Sequence, residues 1–470
     1  MKTTRIRLLV ASLAALVAAA ACGGTAPAPT TSSAAAKPSA AASASAKPAA
    51  SSAASAPASA AAKPSVAAAA GPIKIGYILP LTGIQANIAK DNQDGFNLYL
   101  ESISSTMAGR KLEVSFADDK LQPDVGLTKA KELVESSKVN ILMGISSTTV
   151  AYPVAQYVKD AHIPLLLCTN SGSQGLTMDS RFASPYLVRI TQNGAGTNGV
   201  TADWLLKQGK KKVVMLTTDF AAGIENADLF GSAYVYRGGT IVQEIHPAPG
   251  TTDFGPFIAQ LSQDADAIYE FSTGVDGLRL LEQYYTAASK KMTFLDLYAA
   301  TVAGPNLSVL KDKAVGVVAV SPFSEAYDSP GVQNFLKAWK AKYPDRLVSQ
   351  DAAAGYAGAQ VLEAALKKVN GNIGDTQPFL EALYETNMDT GRGPLKLDKF
   401  HDVVQDMKVF SIEKQGNSYG QKMIETYKDV GQFWDRTEDQ LRKFEFGKMK
   451  GKWVGMTKDK LGDVITLPKS

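Results

Sequence analysis

The 470-residue chain has only three histidines and two cysteines, so the side chains that most often carry nucleophilic or metal chemistry are few. His162, His246 and His401 lie far apart and in no metal-ligand spacing. Cys168 has no base beside it in its motif and reads as a small buried residue at a strand end. A hydrolase on a doubly wound scaffold needs a Gly-x-Ser-x-Gly elbow with a histidine partner, and the chain has neither. Gly194-Ala195-Gly196 lacks both the lysine of a phosphate loop and a dinucleotide fingerprint, and reads as turn material. Asp118-Asp119 and Asp264 to Asp266 have the charge for a cation, but they read as solvated loop acids. No catalytic residue, metal ligand or cofactor site is assigned. Ser146-Ser147-Thr148-Thr149 precedes a helix starting near Val150 and reads as an N-cap cluster.

Strands and helices must position these groups. Ile73 to Leu79 is a β-branched run ending in Pro80-Leu81-Thr82-Gly83, and Lys90 to Ser104 then places Phe96, Leu98, Tyr99 and Ile103 near helical spacing. The unit recurs at Leu112 to Phe116 with Val125 to Val134, at Asn140 to Met143 with Val150 to Ala161, and at Pro164 to Leu167. It continues at Lys212 to Leu216 with a helix near Asn226 to Tyr236, at Ala267 to Phe271 with Val275 to Ala288, and at Thr293 to Leu297 and Val315 to Val320. Strands alternating with helices of this length predict an α/β fold of two Rossmann-like lobes with central parallel sheets. Three helical segments follow, Gly331 to Tyr343, Asp351 to Val369 and Thr376 to Glu385, then a loop Gly391 to Leu395 and a last strand from Val403 to Ile412. In open parallel sheets ligands sit outside the carboxyl ends of strands. Here those ends are Leu81 to Asn87, Ile145 to Thr149, Cys168 to Gly172, Asp219 to Gly223, Ser272 to Gly274 and Tyr298 to Thr301. Phe220, Thr273 and Tyr298 are candidate contacts there, with local packing as their alternative role.

The start of the chain sets the compartment. Lys2, Arg5 and Arg7 precede an apolar stretch from Leu8 to Ala21, too short to span a bilayer, and small residues lead into Cys22. Residues 1–21 read as a lipoprotein signal, with Cys22 the lipidation site and an ordinary cleaved signal the alternative. Residues 22–71 are almost only Ala, Ser, Pro, Thr and Lys, and read as a disordered tether, since no large apolar side chain offsets the entropy of ordering them. The first 71 residues carry six basic groups and no acid, so removing them takes the net charge from +4 to −2. The folded part has no electrostatic footprint for nucleic acid. Cys168 is its one cysteine, which excludes an internal disulfide, and about 400 residues exceed one comfortable core.

Ile75-Gly76 through Leu79-Pro80-Leu81-Thr82-Gly83, Gly109-Arg110-Lys111 before Asp118-Asp119, and Gly144-Ile145-Ser146-Ser147 resemble the branched-chain-amino-acid solute-binding proteins of ABC importers, the leucine-binding protein family. Thr252-Asp253-Phe254, Asp351 to Tyr356 and Gly393-Pro394-Leu395 follow in the family's order, so the resemblance runs over residues 72 to 415. It implies a type I periplasmic-binding fold with a hinge of several crossings: lobe 1 from 72–191 with 322–400 and lobe 2 from 192–321 with 401–430. Residues 431–470, the part least covered by the resemblance, read as a C-terminal extension packed over one lobe. The resemblance implies that Ser146, Ser147, Thr148, Asn170 and Ser171 hold a ligand carboxylate, a role that hydroxyls and N–H groups at helix starts suit. Tyr298 stands where the amino-acid binders place the acid for the ammonium group, and a buried ammonium without a carboxylate is costly. Ala221-Ala222-Gly223, Arg392-Gly393-Pro394 and His401 to Asp406 are more similar to the branch that binds aromatic carboxylates, although Glu270 or Asp296 could still supply the ammonium partner. The implied partners are a small-molecule ligand, an ABC permease and, through Cys22, the outer face of the cell membrane or the periplasm. An extracellular sensor of the same fold is the alternative function.

Overall fold

The computed structural model describes residues 71–462, apart from 289, 290 and 303. The signal, Cys22 and tether expectations lie outside the described residues, as do residues 463–470. The described residues fall in one compact unit. Two sheets organise it. The first runs in the order β2 (Thr106–Met107), β3 (Arg110–Asp118), β1 (Ile73–Leu79), β4 (Ile141–Gly144), β5 (Leu165–Leu167), β6 (Leu187–Arg189). All its pairings are parallel except β2 with β3. The second contains β8 (Thr240–Ile245), β7 (Lys212–Thr217), β9 (Ala267–Phe271), β10 (Thr293–Leu297) and β11 (Val318–Ser321) in parallel. It then adds β14 (Val403–Gln415) antiparallel to β11, flanked by β13 (Gly393–Leu397) with β12 (Asn387–Thr390), and by β15 (Ser418–Val430). The central strands β1, β4, β9 and β11 are buried on both faces, as parallel strands covered by helices must be.

The chain crosses between the sheets three times: after Arg189, after Ser321, and between Tyr384 and Val403. Lys408 joins the last two crossings. Its buried ammonium donates to the carbonyls of Pro322 at 2.6 Å, Arg392 at 3.0 Å and Asp406 at 3.0 Å. Helices Pro330–Lys342, Gln350–Lys368 and Thr376–Tyr384 return to the first lobe, where Leu362, Leu366, Phe379 and Leu383 share a core with Ile73, Ile75 and Tyr77.

Several features differ from the sequence reading. Gly194-Ala195-Gly196 opens a helix, Gly194–Lys207, whose N-cap Asn193 accepts from the Gly196 N–H at 2.7 Å. Glycine is needed because a Cβ at 196 would lie 2.5 Å from the Gly431 carbonyl, and burial on nearly all sides leaves no amphipathic pattern. Gly391-Arg392 is the turn of a hairpin, with Leu395 inside β13 rather than in a loop. The strand β15 and the edge strand β8 were not anticipated, since their faces mix polar and apolar residues. Asp119 is buried and pushed up to about 6 by that burial, so it is no solvated loop acid. Asp118 instead caps the turn before the first helix, accepting from the Leu81 N–H at 2.9 Å and the Thr82 hydroxyl at 2.6 Å.

The C-terminal extension touches both lobes rather than one. Trp453 donates to Asp228 on the second lobe at 2.9 Å, while Arg442 donates to the Met178 carbonyl of the first at 3.3 Å.

Candidate functional site

The strand ends of the two sheets face each other and line three neighbouring chambers, the first two only about 10 Å³ and 20 Å³. The first is lined by Asn170, Gly172, Ser173 and Gln192 from one side and by Ala222, Glu225, Asn226, Phe271 and Tyr298 from the other. The second shares Asn170, Gln192, Phe271 and Tyr298 and adds Ile88, Thr273, Ala300, Gln350 and Asp351. The third, about 150 Å³, lies among Ile84, Gln85, Ser147, Thr149, Thr218, Phe220 and Thr273.

Five of the eight expected ligand residues line these chambers: Ser147, Asn170, Phe220, Thr273 and Tyr298. Ser146, Thr148 and Ser171 do not. The Ser146 hydroxyl turns to Gln85 at 3.2 Å, and the Ser171 hydroxyl donates to the Ile145 carbonyl at 2.5 Å, so each ties one loop to its neighbour. Thr148 is buried in the first turn of helix Thr148–Ala161 with its hydroxyl unpaired. The Ser147 side chain makes no capping bond and pairs with Thr149 at 2.7 Å, which leaves both hydroxyls on the third chamber.

Tyr298 and Ala299 adopt left-handed backbone conformations, φ +63° and +55°. Non-glycine residues held there carry strain of about 1–3 kcal/mol each, a mark of a site whose geometry the surroundings enforce. The Tyr298 N–H is fixed by the Val320 carbonyl at 2.8 Å and its hydroxyl donates to Asn226 at 3.0 Å. Its ring meets Phe271 edge-on at 5.6 Å, and Phe271 stacks with Phe220 at 6.0 Å. The second lobe therefore presents an aromatic wall, and the first presents hydroxyls and amides opposite.

Glu270 and Asp296 line none of the three chambers. They sit paired across β9 and β10, fully buried, where burial raises both carboxyls and pushes Asp296 up to about 7. The carboxyls that do reach the chambers are Glu225 and Asp351, which no motif singled out as ligand contacts, along with Asp276. Burial raises Glu225 although it accepts from the Gln174 N–H at 2.6 Å and from Ser173. Asp351 accepts from Asn170 at 2.8 Å and burial pushes it up to about 7. Among the described residues lining the chambers there is no lysine or arginine. Gln85, Gln192 and Phe271 were also missed; the only sequence signal for Phe271 was its position at a strand end.

The lobes meet closely. Gln85 donates to Thr273 across the cleft at 2.9 Å, and a Cβ on Gly274 would lie 2.1 Å from the Ile84 carbonyl.

Buried carboxyls predict a pH dependence. Asp351 moves from 3.8 in an open chain to about 7 in the fold, so the folded protein binds that proton more tightly than the unfolded one. Its burial costs nothing below about pH 4, and the cost grows to roughly 4 kcal/mol as the pH rises through 7. Asp296 acts in the same direction over the same window, and Asp119 and Asp228, pushed up to about 6, act in the same direction over its lower part. Lys408, held down to about 7 from 10.5, regains stability only above pH 7. The melting temperature is expected to be higher at pH 5 than at pH 7, and Asp351→Asn to narrow that difference. Equal melting at both pH values in the wild type contradicts this assignment.

The sequence model of the periplasmic binding protein family matches residues 72–417. The chain belongs to that family. This binding protein is 25% identical over 370 residues to a Leu/Ile/Val-binding protein homolog 6 of Brucella melitensis biotype 1, covering 77% of this chain and 93% of that one. It superposes on an ABC transporter substrate-binding protein from Sphaerobacter thermophilus with a TM-score of 0.71 and 28% identity, over 76% of this chain and 98% of the other. A solute-binding protein of an ABC transporter from Rhodopseudomonas palustris BisB5, in complex with 3,4-dihydroxybenzoic acid, gives a TM-score of 0.71 at 29% identity with the same coverage. The binding protein thus has the two-lobed type I periplasmic-binding fold and is a solute-binding protein of the ABC-transporter type, not an enzyme. No helix among its described residues is long and apolar enough to cross a membrane.

Proposed function

We propose that this binding protein captures a small aromatic carboxylate between its lobes and delivers it to an ABC permease, tethered to the membrane through lipidated Cys22 and residues 22–71. The observation that carries the ligand class is the wall Phe220–Phe271–Tyr298, which ends in a tyrosine rather than an acid. A flat ring packs against such a wall, because aromatic pairs gain both buried area and quadrupole attraction. Ser147, Thr149, Asn170 and Gln192 supply neutral donors for the carboxylate opposite. Binding of 3,4-dihydroxybenzoic acid by the Rhodopseudomonas palustris relative supports this reading.

A second reading, a hydrophobic amino acid, is favoured by Asp351 and Glu225, which reach the same chambers and offer an ammonium group a partner. The two readings separate in a thermal-shift comparison of benzoate-type acids with leucine-type amino acids, since a ligand stabilises in proportion to ln(1 + [L]/Kd). A shift with aromatic acids alone is expected. A shift with amino acids alone moves the assignment to Asp351 and Glu225, and no shift with either class rejects both.

A further inference from the structure

The matched family region stops at residue 417, β15 ends at Val430, and the chain then continues across the molecule. Its course follows from the helix Ala221–Tyr236. Residues 223–235 of that helix are all buried, so it is covered on both sides. Its front turns, with Ala222, Glu225 and Asn226, line the first chamber. Its back is covered by the extension: Trp453, 1% exposed, donates to Asp228 at 2.9 Å, and Arg436 donates to Ser232 at 2.8 Å. Gly231 accommodates the indole, since a Cβ there would lie 2.5 Å from the Trp453 ring.

The same segment grips the first lobe. Gln432 accepts from Gln174 at 2.5 Å and donates to Asp398 at 2.6 Å. Gln174 continues directly from Asn170, Gly172 and Ser173, which form the opposite wall of the first chamber. Leu441, fully buried on the short helix Glu438–Lys443, sits in one apolar cluster with Met178 of the first lobe and Leu229 of the second. A third anchor, Lys450 to Asp219 at 2.6 Å, holds the loop next to Phe220.

We propose that residues 431–462 are a clasp joining the backs of the two cavity walls, with Gln432 and Leu441 as positioning residues for solute binding; its role in binding rests on the proposed function. Separation of the walls pulls Leu441 from Met178 or from Leu229 and strains the Gln174–Gln432 bond, so the clasp favours the closed arrangement and slows release.

The test uses the full chain carrying Leu441→Ala, or Arg442→Ala, which removes the bond to the Met178 carbonyl from a half-exposed side chain and so preserves the fold. X-ray scattering without solute is expected to give a larger radius of gyration for both variants than for the wild type, with Leu441→Met restoring the wild-type value. Stopped-flow release of a benzoate-type acid is expected to be roughly tenfold faster for Leu441→Ala and about twofold to fivefold faster for Arg442→Ala, with association unchanged. Radii of gyration equal to that of the wild type in both variants overturn the clasp. Failure of the wild type to bind any solute overturns the proposed function instead and leaves the scattering result to decide the clasp.

Discussion

Gly274→Ala is expected to weaken solute binding by roughly a hundredfold while both lobes stay folded. Gly274 begins the helix Val275–Ala287 at φ +62°, ψ −133°, a conformation that an L-residue adopts only under strain. The larger effect acts across the cleft. A methyl group at this position would stand 2.1 Å from the Ile84 carbonyl and 3.7 Å from the Gln85 Cα, so the lobes cannot approach as they do here. Loss of the approach also removes the Gln85–Thr273 hydrogen bond. An open lobe pair has no such clash, which is why folding survives and closure does not. Calorimetric titration with a stabilising solute, beside a melting curve, measures both. Unchanged affinity would show that closure at Gly274 is not needed for binding.

Asp402→Ala is expected to destabilise the protein by about 3–5 kcal/mol, the usual cost of leaving one member of a buried ion pair without its partner. Arg189 and Asp402 are both fully buried, and Nε and Nη2 on one edge of the guanidinium donate to the two carboxylate oxygens at 2.8 Å and 2.6 Å. Asp402 also accepts from Gln174 at 2.9 Å and from its neighbouring Val403 N–H at 2.8 Å. Removing it leaves a guanidinium that water cannot reach. Arg189 meanwhile binds the carbonyls of Ser171 and Ser173, so the loss reaches the loop that lines the first chamber. The double variant Arg189→Met with Asp402→Leu is expected to recover most of the melting temperature, because no unpaired charge remains, but not the binding, because the loop has lost its donor. Chemical denaturation of the three variants checks the first part and titration the second. If Asp402→Ala melts like the wild type, the pair carries no structural weight.

The two-lobed fold was legible because parallel strands read as short apolar runs at regular intervals, and β1, β4, β5, β7, β9 and β10 each appeared as one. Elements whose burial departs from the simple pattern escaped. Helix Gly194–Lys207 is buried nearly all round, so its glycines, which permit close packing, imitated a turn. The strand β15 pairs with β14 through ten registered residue pairs with two irregularities, and neither its length nor its partner is visible in a local window. Of the residues expected from strand-end position, Tyr298, Phe220, Thr273, Asn170 and Ser147 line the chambers. Ser146 and Ser171 do not, because their hydroxyls turn inward to neighbouring loops, a choice set by side-chain direction rather than by spacing. Gln192, Glu225 and Asp351 were missed for a third reason. They come from a crossing segment and two helices, and only the approach of the lobes brings them to one chamber.

In the proposed complex the solute lies between the lobes with its ring on the aromatic wall. A crystal structure of the protein with the most stabilising benzoate-type acid tests it most directly. One solute per chain is expected, its ring against Phe271 and Tyr298 and its carboxylate toward Ser147, Thr149, Asn170 or Gln192. A solute bound outside these three chambers, or a carboxylate directed at Asp351 and Glu225, would contradict it.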